Sequence, residues 1–172
     1  QSSKDVAVLS RGCGRATKGF RLATDASTAS EIGDEPRQIK QKFPTCTVAV
    51  CEKRVVGMQQ LIAKRQEEGK TTDNWVVVLD DAFQHRYIKP GFSILLTDYA
   101  RPYYADRVLP WGRLRESAEG AQRADIIIVT KCPKHLSATN AEQIRAKLAP
   151  LPTQEVFFTC FAYGNPYSAS DC

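Results

Sequence analysis

Six short apolar runs decide most of what this chain can become. Residues 5–10, 45–51, 75–80, 93–97, 125–130 and 155–160 are rich in Val, Ile and Phe, and several are continuous rather than alternating. A strand buried on one face alternates, whereas a continuous run suits a strand covered on both faces, as in a parallel sheet packed between helices. Helical patterns fill some of the intervals. Residues 54–68 set Val55, Met58, Leu61 and Ile62 on one stripe with charges opposite. Residues 136–148 carry Ser137 or Thr139 as an N-cap, with Ile144 and Leu148 at i, i+4 spacing. The segment 35–43 predicts a short helix opening near Pro36. Strand and helix alternate, so the expected class is α/β, with a mostly parallel sheet flanked by helices.

The 172 residues are 42% hydrophobic and 25% charged, a mixture that supports a packed core and argues against long disorder. The expected organisation is one α/β domain over 1–163 and a tail or linker over 164–172. No apolar run approaches the ~20 residues that cross a bilayer, so no membrane span is expected within this chain. The balance of 24 Lys+Arg against 19 Asp+Glu is only mildly basic and argues against a nucleic-acid partner. Arg11, Arg15, Lys18 and Arg21 nevertheless cluster, either to meet phosphates or anionic lipid or simply as a solvated loop. Six cysteines without a CxxC pair, together with two histidines, make no zinc site and fit a reduced, cytosolic compartment. The polar stretch 10–32 shows no helical period, and a connection that long is usually functional.

Chemistry concentrates at three places. The run Trp75–Leu79 ends in Asp80 and Asp81, which puts carboxylates at the carboxyl edge where open α/β sheets bind ligands. Such acids hold Mg²⁺ in phosphate-handling folds, or else cap the next turn. Gln84 and His85 add an amide and an imidazole within a turn. Asp34 and Glu35 stand between Gly33 and Pro36, and serve either as a general base or as complements to a helix dipole. In the loop 109–116, Arg115 offers a planar fork to phosphate and Glu116 a metal or water ligand; a surface ion pair is the bland alternative. Gly12 and Gly14 imitate a dinucleotide fingerprint, but Thr17 stands at the third glycine position and no helix pattern follows, so an oxidoreductase is not expected. Thr130-Lys131 borders either a nucleotide base or nothing. No GxxxxGK[ST] phosphate cradle occurs in the 172 residues.

Taken in order, LSRGCGR at 9–15, GDEP at 33–36, DDAFQHR at 80–86 and LPWGRLRE at 109–116 resemble the tetraacyldisaccharide 4'-kinases, the lipid A 4'-kinases. The resemblance runs from about Val6 to Tyr163 and looks nearest to members from the Bacteroidetes. It implies a P-loop NTPase-like (Rossmann-like) kinase domain that uses ATP and Mg²⁺ on a lipid A disaccharide precursor. Transfer would be to its 4'-hydroxyl, at the cytoplasmic face of the bacterial inner membrane. The family also has a P-loop and a membrane-attaching segment upstream and an assisting histidine downstream. The 172 residues therefore read as the middle of the enzyme, expected to be inactive and aggregation-prone alone. Carried over by position, Asp34 is the catalytic base and Glu35 faces substrate. Asp80 and Asp81 form the acidic strand end, with Gln84 and His85 beside the cofactor. Asp81, Gln84 and Glu116 form the metal shell, and Arg54 and Arg115, with Arg11 and Arg15, contact substrate or phosphate. Cys13, Trp111 and Ser117 depart from the family's aromatic, small and proline residues. The competing reading is a non-catalytic α/β module that binds phosphate or an anionic lipid headgroup.

Overall fold

The computed structural model describes residues 4–164. They form two compact units, divided between Lys89 and Pro90, where the sequence had suggested one domain over 1–163. The division falls at Lys89-Pro90-Gly91, inside the irregular connection between β-strands that ends at residue 93. All of the proposed tail except Gly164 lies outside the described residues.

The first unit contains β1 (Asp5–Ser10), β2 (Arg21–Leu22), α1 (Ala29–Ile32), α2 (Asp34–Lys42), β3 (Thr47–Val50), α3 (Arg54–Glu67) and β4 (Trp75–Leu79). Its sheet runs β2-β3-β1-β4, with β1 central and parallel to both β3 and β4, and β2 antiparallel at the edge. Leu9 aligns with Ala49 on one side and Leu79 on the other. These residues join Cys51 and Leu61 in a core to which Met58, Trp75 and Val77 are added. The apolar stripe read from residues 54–68 thus supplies Leu61 and Met58 to the sheet. In β4, however, Val76 and Val78 remain half-exposed. Within its own unit this continuous run is packed on the Trp75, Val77 and Leu79 side, not on both faces.

The second unit contains β5 (Ile94–Asp98), β6 (Ile126–Thr130), α4 (Ala138–Leu148) and β7 (Glu155–Phe158), with short 3-10 turns at Tyr103–Ala105 and Ala118–Arg123. The strands are all parallel in the order β5-β6-β7. Ile127, Val129, Val156 and Leu148 are buried, while Ile94, Leu96 and Phe157 are half-exposed. Ser137 is the N-cap of α4, its hydroxyl accepting the Asn140 N–H at 3.2 Å. The α/β class and the parallel strand pairings match expectation, with two sheets in place of one. The short β2 and α1 were not anticipated, because two and four residues are too few to show a period. Among the described residues no helix is long and apolar enough to cross a membrane.

Gly57 shows how closely α3 approaches β1. A Cβ there would lie 2.9 Å from both Leu9 Cδ1 and Cys51 Cβ. Alanine would gain about 1 kcal/mol of helix propensity, but crowding a filled core costs ~1–3 kcal/mol. We expect Gly57→Ala to destabilise by about 1 kcal/mol, read as a lower urea midpoint at unchanged m-value. A raised midpoint would mean that the contact has room to relax.

Candidate functional site at a sheet edge

Parallel strands deliver their carboxyl ends to one edge, and in the first unit β1 ends there at Ser10 while β3 and β4 stop one residue before Cys51 and Asp80. The Ser10 hydroxyl donates to Asp80 Oδ2 at 2.9 Å, and the Asp80 N–H donates to the Leu9 carbonyl at 3.1 Å. The chain then reverses through Asp81, whose φ of 45° is one of the few left-handed non-glycine positions and leaves its carboxylate exposed. Gln84 is exposed three residues on. His85 lies against Tyr87, with its Nε2 buried and unpartnered.

Arg54 opens α3 and is only 4% exposed. Its Nη1 donates to the Cys51 carbonyl at 2.8 Å and its Nη2 to the Asp80 carbonyl at 2.9 Å, which ties the ends of β3 and β4 together. Burial lowers its pKa and the Asp80 charge raises it in opposition; a guanidinium remains protonated under both influences. Its terminal nitrogens face main-chain carbonyls, whereas the sequence had placed it against substrate or phosphate.

Arg15 is likewise turned inward, its side chain 2% exposed. Its Nη2 meets Glu52 Oε1 at 2.5 Å and the Gly19 carbonyl at 2.6 Å, while Glu52 Oε2 accepts the Gly19 N–H at 3.0 Å. The same loop is stitched to α1: the Ala16 N–H donates to the Ser30 carbonyl at 2.8 Å, and the Thr17 hydroxyl to the Glu31 carbonyl at 2.5 Å. Gly12 and Gly33, at φ 70° and 95°, then pass backbone to backbone. A Cβ on Gly33 would stand 3.2 Å from the Cys13 carbonyl, and one on Gly12 would stand 2.9 Å from that of Ile32. Gly33 caps α2, so this stack fixes where Asp34 begins that helix; Asp34 and Glu35 are both exposed. One loop therefore reaches Asp80 through Ser10 and Asp34 through Gly12. Of the four clustered cations, Arg11, Lys18 and Arg21 are exposed.

In the second unit, Glu116 accepts from Arg123 at 2.6 Å, and Arg115 is exposed. The sequence did not single out Asp98, which ends β5 and pairs with Lys131 at 2.6 Å. Hydrogen bonds from Lys131 and the Ala100 N–H hold its carboxyl below the usual range. Glu52 was missed too, since a glutamate beside a strand end carries no signal of its partner. Among the described residues no three His, Cys, Asp or Glu side chains gather as a metal cluster. Mg²⁺, however, commonly takes only one or two carboxylates and completes its shell with water and phosphate. The oxygen donors of Asp80, Asp81 and Gln84 fit that habit.

Two outcomes follow from this geometry. Arg54→Ala leaves two carbonyls without their donor and should cost about 2–4 kcal/mol in chemical denaturation; Arg54→Lys should recover less than half, since one ammonium cannot reproduce the fork. Near-unchanged stability in Arg54→Ala would rule out this bridging role. For Glu52, burial raises the pKa, but bonds from its own backbone N–H, from Arg15 and from Gly19 outweigh it and leave the value lowered. Its contribution is then complete above the ordinary glutamate range and is lost as pH falls through the folded value. Glu52→Gln should flatten the acid side of the stability profile, as followed by denaturant midpoints; an unaltered acid limb would contradict it.

Comparison with known proteins places this chain in a family. The family model for tetraacyldisaccharide-1-P 4'-kinase matches residues 1–161. A tetraacyldisaccharide 4'-kinase of Bacteroides thetaiotaomicron is 51% identical over 160 residues, covering 93% of this chain and 41% of the relative. That of Flavobacterium johnsoniae is 48% identical over 158 residues, covering 92% and 45%. The chain thus spans less than half the length of these curated relatives. A crystal structure of "apo" form LpxK from Aquifex aeolicus in complex with ATP superposes with a TM-score of 0.62 at 21% identity, over 96% of this chain and 66% of that one, a likeness of fold. By the family match and by identity to these relatives, the chain belongs to the tetraacyldisaccharide 4'-kinase family.

Proposed function

We propose that the whole protein to which this segment belongs moves the γ-phosphate of ATP to the 4'-hydroxyl of a tetraacyldisaccharide 1-phosphate, a lipid A precursor, at the cytoplasmic face of the inner membrane. The observation that carries the reading is the single loop that anchors both Asp34 and the Asp80–Asp81 strand end, inside a segment matching the kinase family along nearly its whole length.

In this reading Asp34 accepts the proton of the sugar hydroxyl as its oxygen attacks phosphorus. A carboxylate at the first position of a helix, held by backbone contacts, suits that task because the position of the proton acceptor matters as much as its basicity. Asp80, Asp81 and Gln84 would hold Mg²⁺, which neutralises charge on the phosphates when bound. Glu35, Arg11 and Arg115 are assigned to the anionic substrate, His85 to the cofactor side and Glu116 to the acidic shell. Arg54 and Arg15 act from behind, by setting Asp80 and the loop. The 172 residues lack GxxxxGK[ST], so the proposal takes the cradle for the β- and γ-phosphates from elsewhere in the whole protein.

Asp34→Asn in the whole protein should lower kcat by roughly 10²–10⁴-fold with little change in KM, because it removes proton acceptance more than binding. Near-normal turnover would assign the proton to another group. Asp81→Ala should abolish transfer while leaving the circular dichroism spectrum unchanged. The 172-residue chain alone should show no stoichiometric micromolar binding of Mg·ATP by calorimetry; such binding would reveal a phosphate site within it.

A further inference from the structure

The segment 106–116 carries an apolar tip on a basic base. Val108, Leu109 and Trp111 are 41%, 59% and 81% exposed, interrupted only by Pro110, which is also exposed. Arg107 and Arg113 flank them, exposed as well. The tip is built, not frayed. The Leu109 N–H donates to the Leu114 carbonyl and the Leu114 N–H to the Arg107 carbonyl, both at 3.0 Å, and the Trp111 N–H reaches the Val108 carbonyl at 3.1 Å. Asp106 Oδ1 accepts the Arg107 and Arg113 N–H groups at 2.8 and 3.2 Å, bonds that hold its carboxyl below the usual range. The one acid of the segment before Glu116 is thereby spent on the loop itself. Gly112 sits so close to the Arg107 carbonyl and Asp106 that a Cβ would overlap them. Three large apolar side chains are thus held in water by a preorganised backbone.

We propose that this tip enters the interfacial layer of an anionic lipid bilayer, with Trp111 and Leu109 at the acyl boundary and Arg107 and Arg113 among the lipid phosphates. The proposal deepens the lipid-kinase reading and rests on it for its partner, the membrane that presents the substrate. The chemistry selects a bilayer over a protein. Three apolar side chains on one loop tip are far short of the ~1,000 Å² that a stable protein interface needs, whereas a bilayer yields to any small apolar projection. Tryptophan prefers the headgroup level, and arginines near an anionic surface add attraction that salt screens.

The test reads the tip itself. The chain has two tryptophans, Trp75 and Trp111, so Trp75→Phe makes emission a report of Trp111. If that variant does not fold, the difference between the unmodified chain and Trp111→Phe gives the same signal. On vesicles of mixed phosphatidylglycerol and phosphatidylcholine, Trp111 emission should move to shorter wavelength, and less on phosphatidylcholine alone. Trp111→Ala should weaken partition about tenfold, and Arg113→Gln about fivefold with a shallower salt dependence. An unchanged Trp111 spectrum on the anionic vesicles overturns the proposal. So does a shift without lipid in a sample that sediments as a defined dimer, which would make a second copy of the chain the occupant. Vesicle insertion by a whole protein that phosphorylates no tetraacyldisaccharide would retire the kinase reading and keep the loop assignment. Turnover without a Trp111 response would do the reverse.

Discussion

A buried guanidinium holds the candidate site together. Parallel strands that stop at a common edge leave carbonyls with no further ladder partner, and a buried carbonyl without a donor is costly. Arg54 answers this for two strands at once, with one nitrogen on Cys51 and another on Asp80. A lysine has a single charged nitrogen and could not bridge them in the same way. The strand ends, the Asp81 reversal and the Ser10–Asp80 bond all depend on that clamp.

The loop after β1 applies the same logic a second time. Its arginine is also buried, but its partners are Glu52 and the Gly19 carbonyl, so the ion pair closes the loop on the residue just beyond β3. Surface ion pairs contribute little, because solvent screens them and the side chains lose entropy. Here Arg15 is almost fully enclosed although Glu52 stays exposed, and the pair is reinforced by a backbone N–H. Its value lies in geometry: the loop it stiffens presses Gly12 against Gly33, and Gly33 starts the helix that carries Asp34.

Much of this was legible in the residues, and the limits are instructive. All six apolar runs became strands within a residue or two, because continuous Val and Ile runs bounded by polar residues leave few alternatives. The helices at Arg54–Glu67 and Ala138–Leu148 followed from their stripe and their cap. Residues 10–32 hid β2 and α1, whose order comes from tertiary hydrogen bonds such as Ala16 to Ser30 and not from local pattern. The direction of an arginine was equally hidden. Arg11, Arg15 and Arg54 look alike as letters, yet one is exposed and two are buried, because burial is decided by partners distant in sequence, such as Glu52 and Asp80. Continuity of a run also overstated burial: Val76 and Val78 have the composition of a covered strand and are half-exposed within their unit.

The motifs that carry the family likeness are, on this structure, as much about backbone as about side chains. In the segment 9–15 the two glycines take left-handed φ values, and Gly12 lies where any side chain would meet Arg15 and the Ile32 carbonyl. In 33–36 Gly33 does the corresponding work from the other side. In 109–116 Gly112 lets the chain close over Arg107. Each acid of interest, Asp34, Asp81 or Glu116, lies within a few residues of such a close approach or of a left-handed turn. Phosphoryl transfer gains chiefly from groups that are already in place when charge moves. A carboxylate on a flexible loop would have to be ordered at the cost of conformational entropy in every turnover. Glycine at the contact lets main chain pack directly on main chain, so the placement of the acid is inherited from the fold and not from its own rotamer.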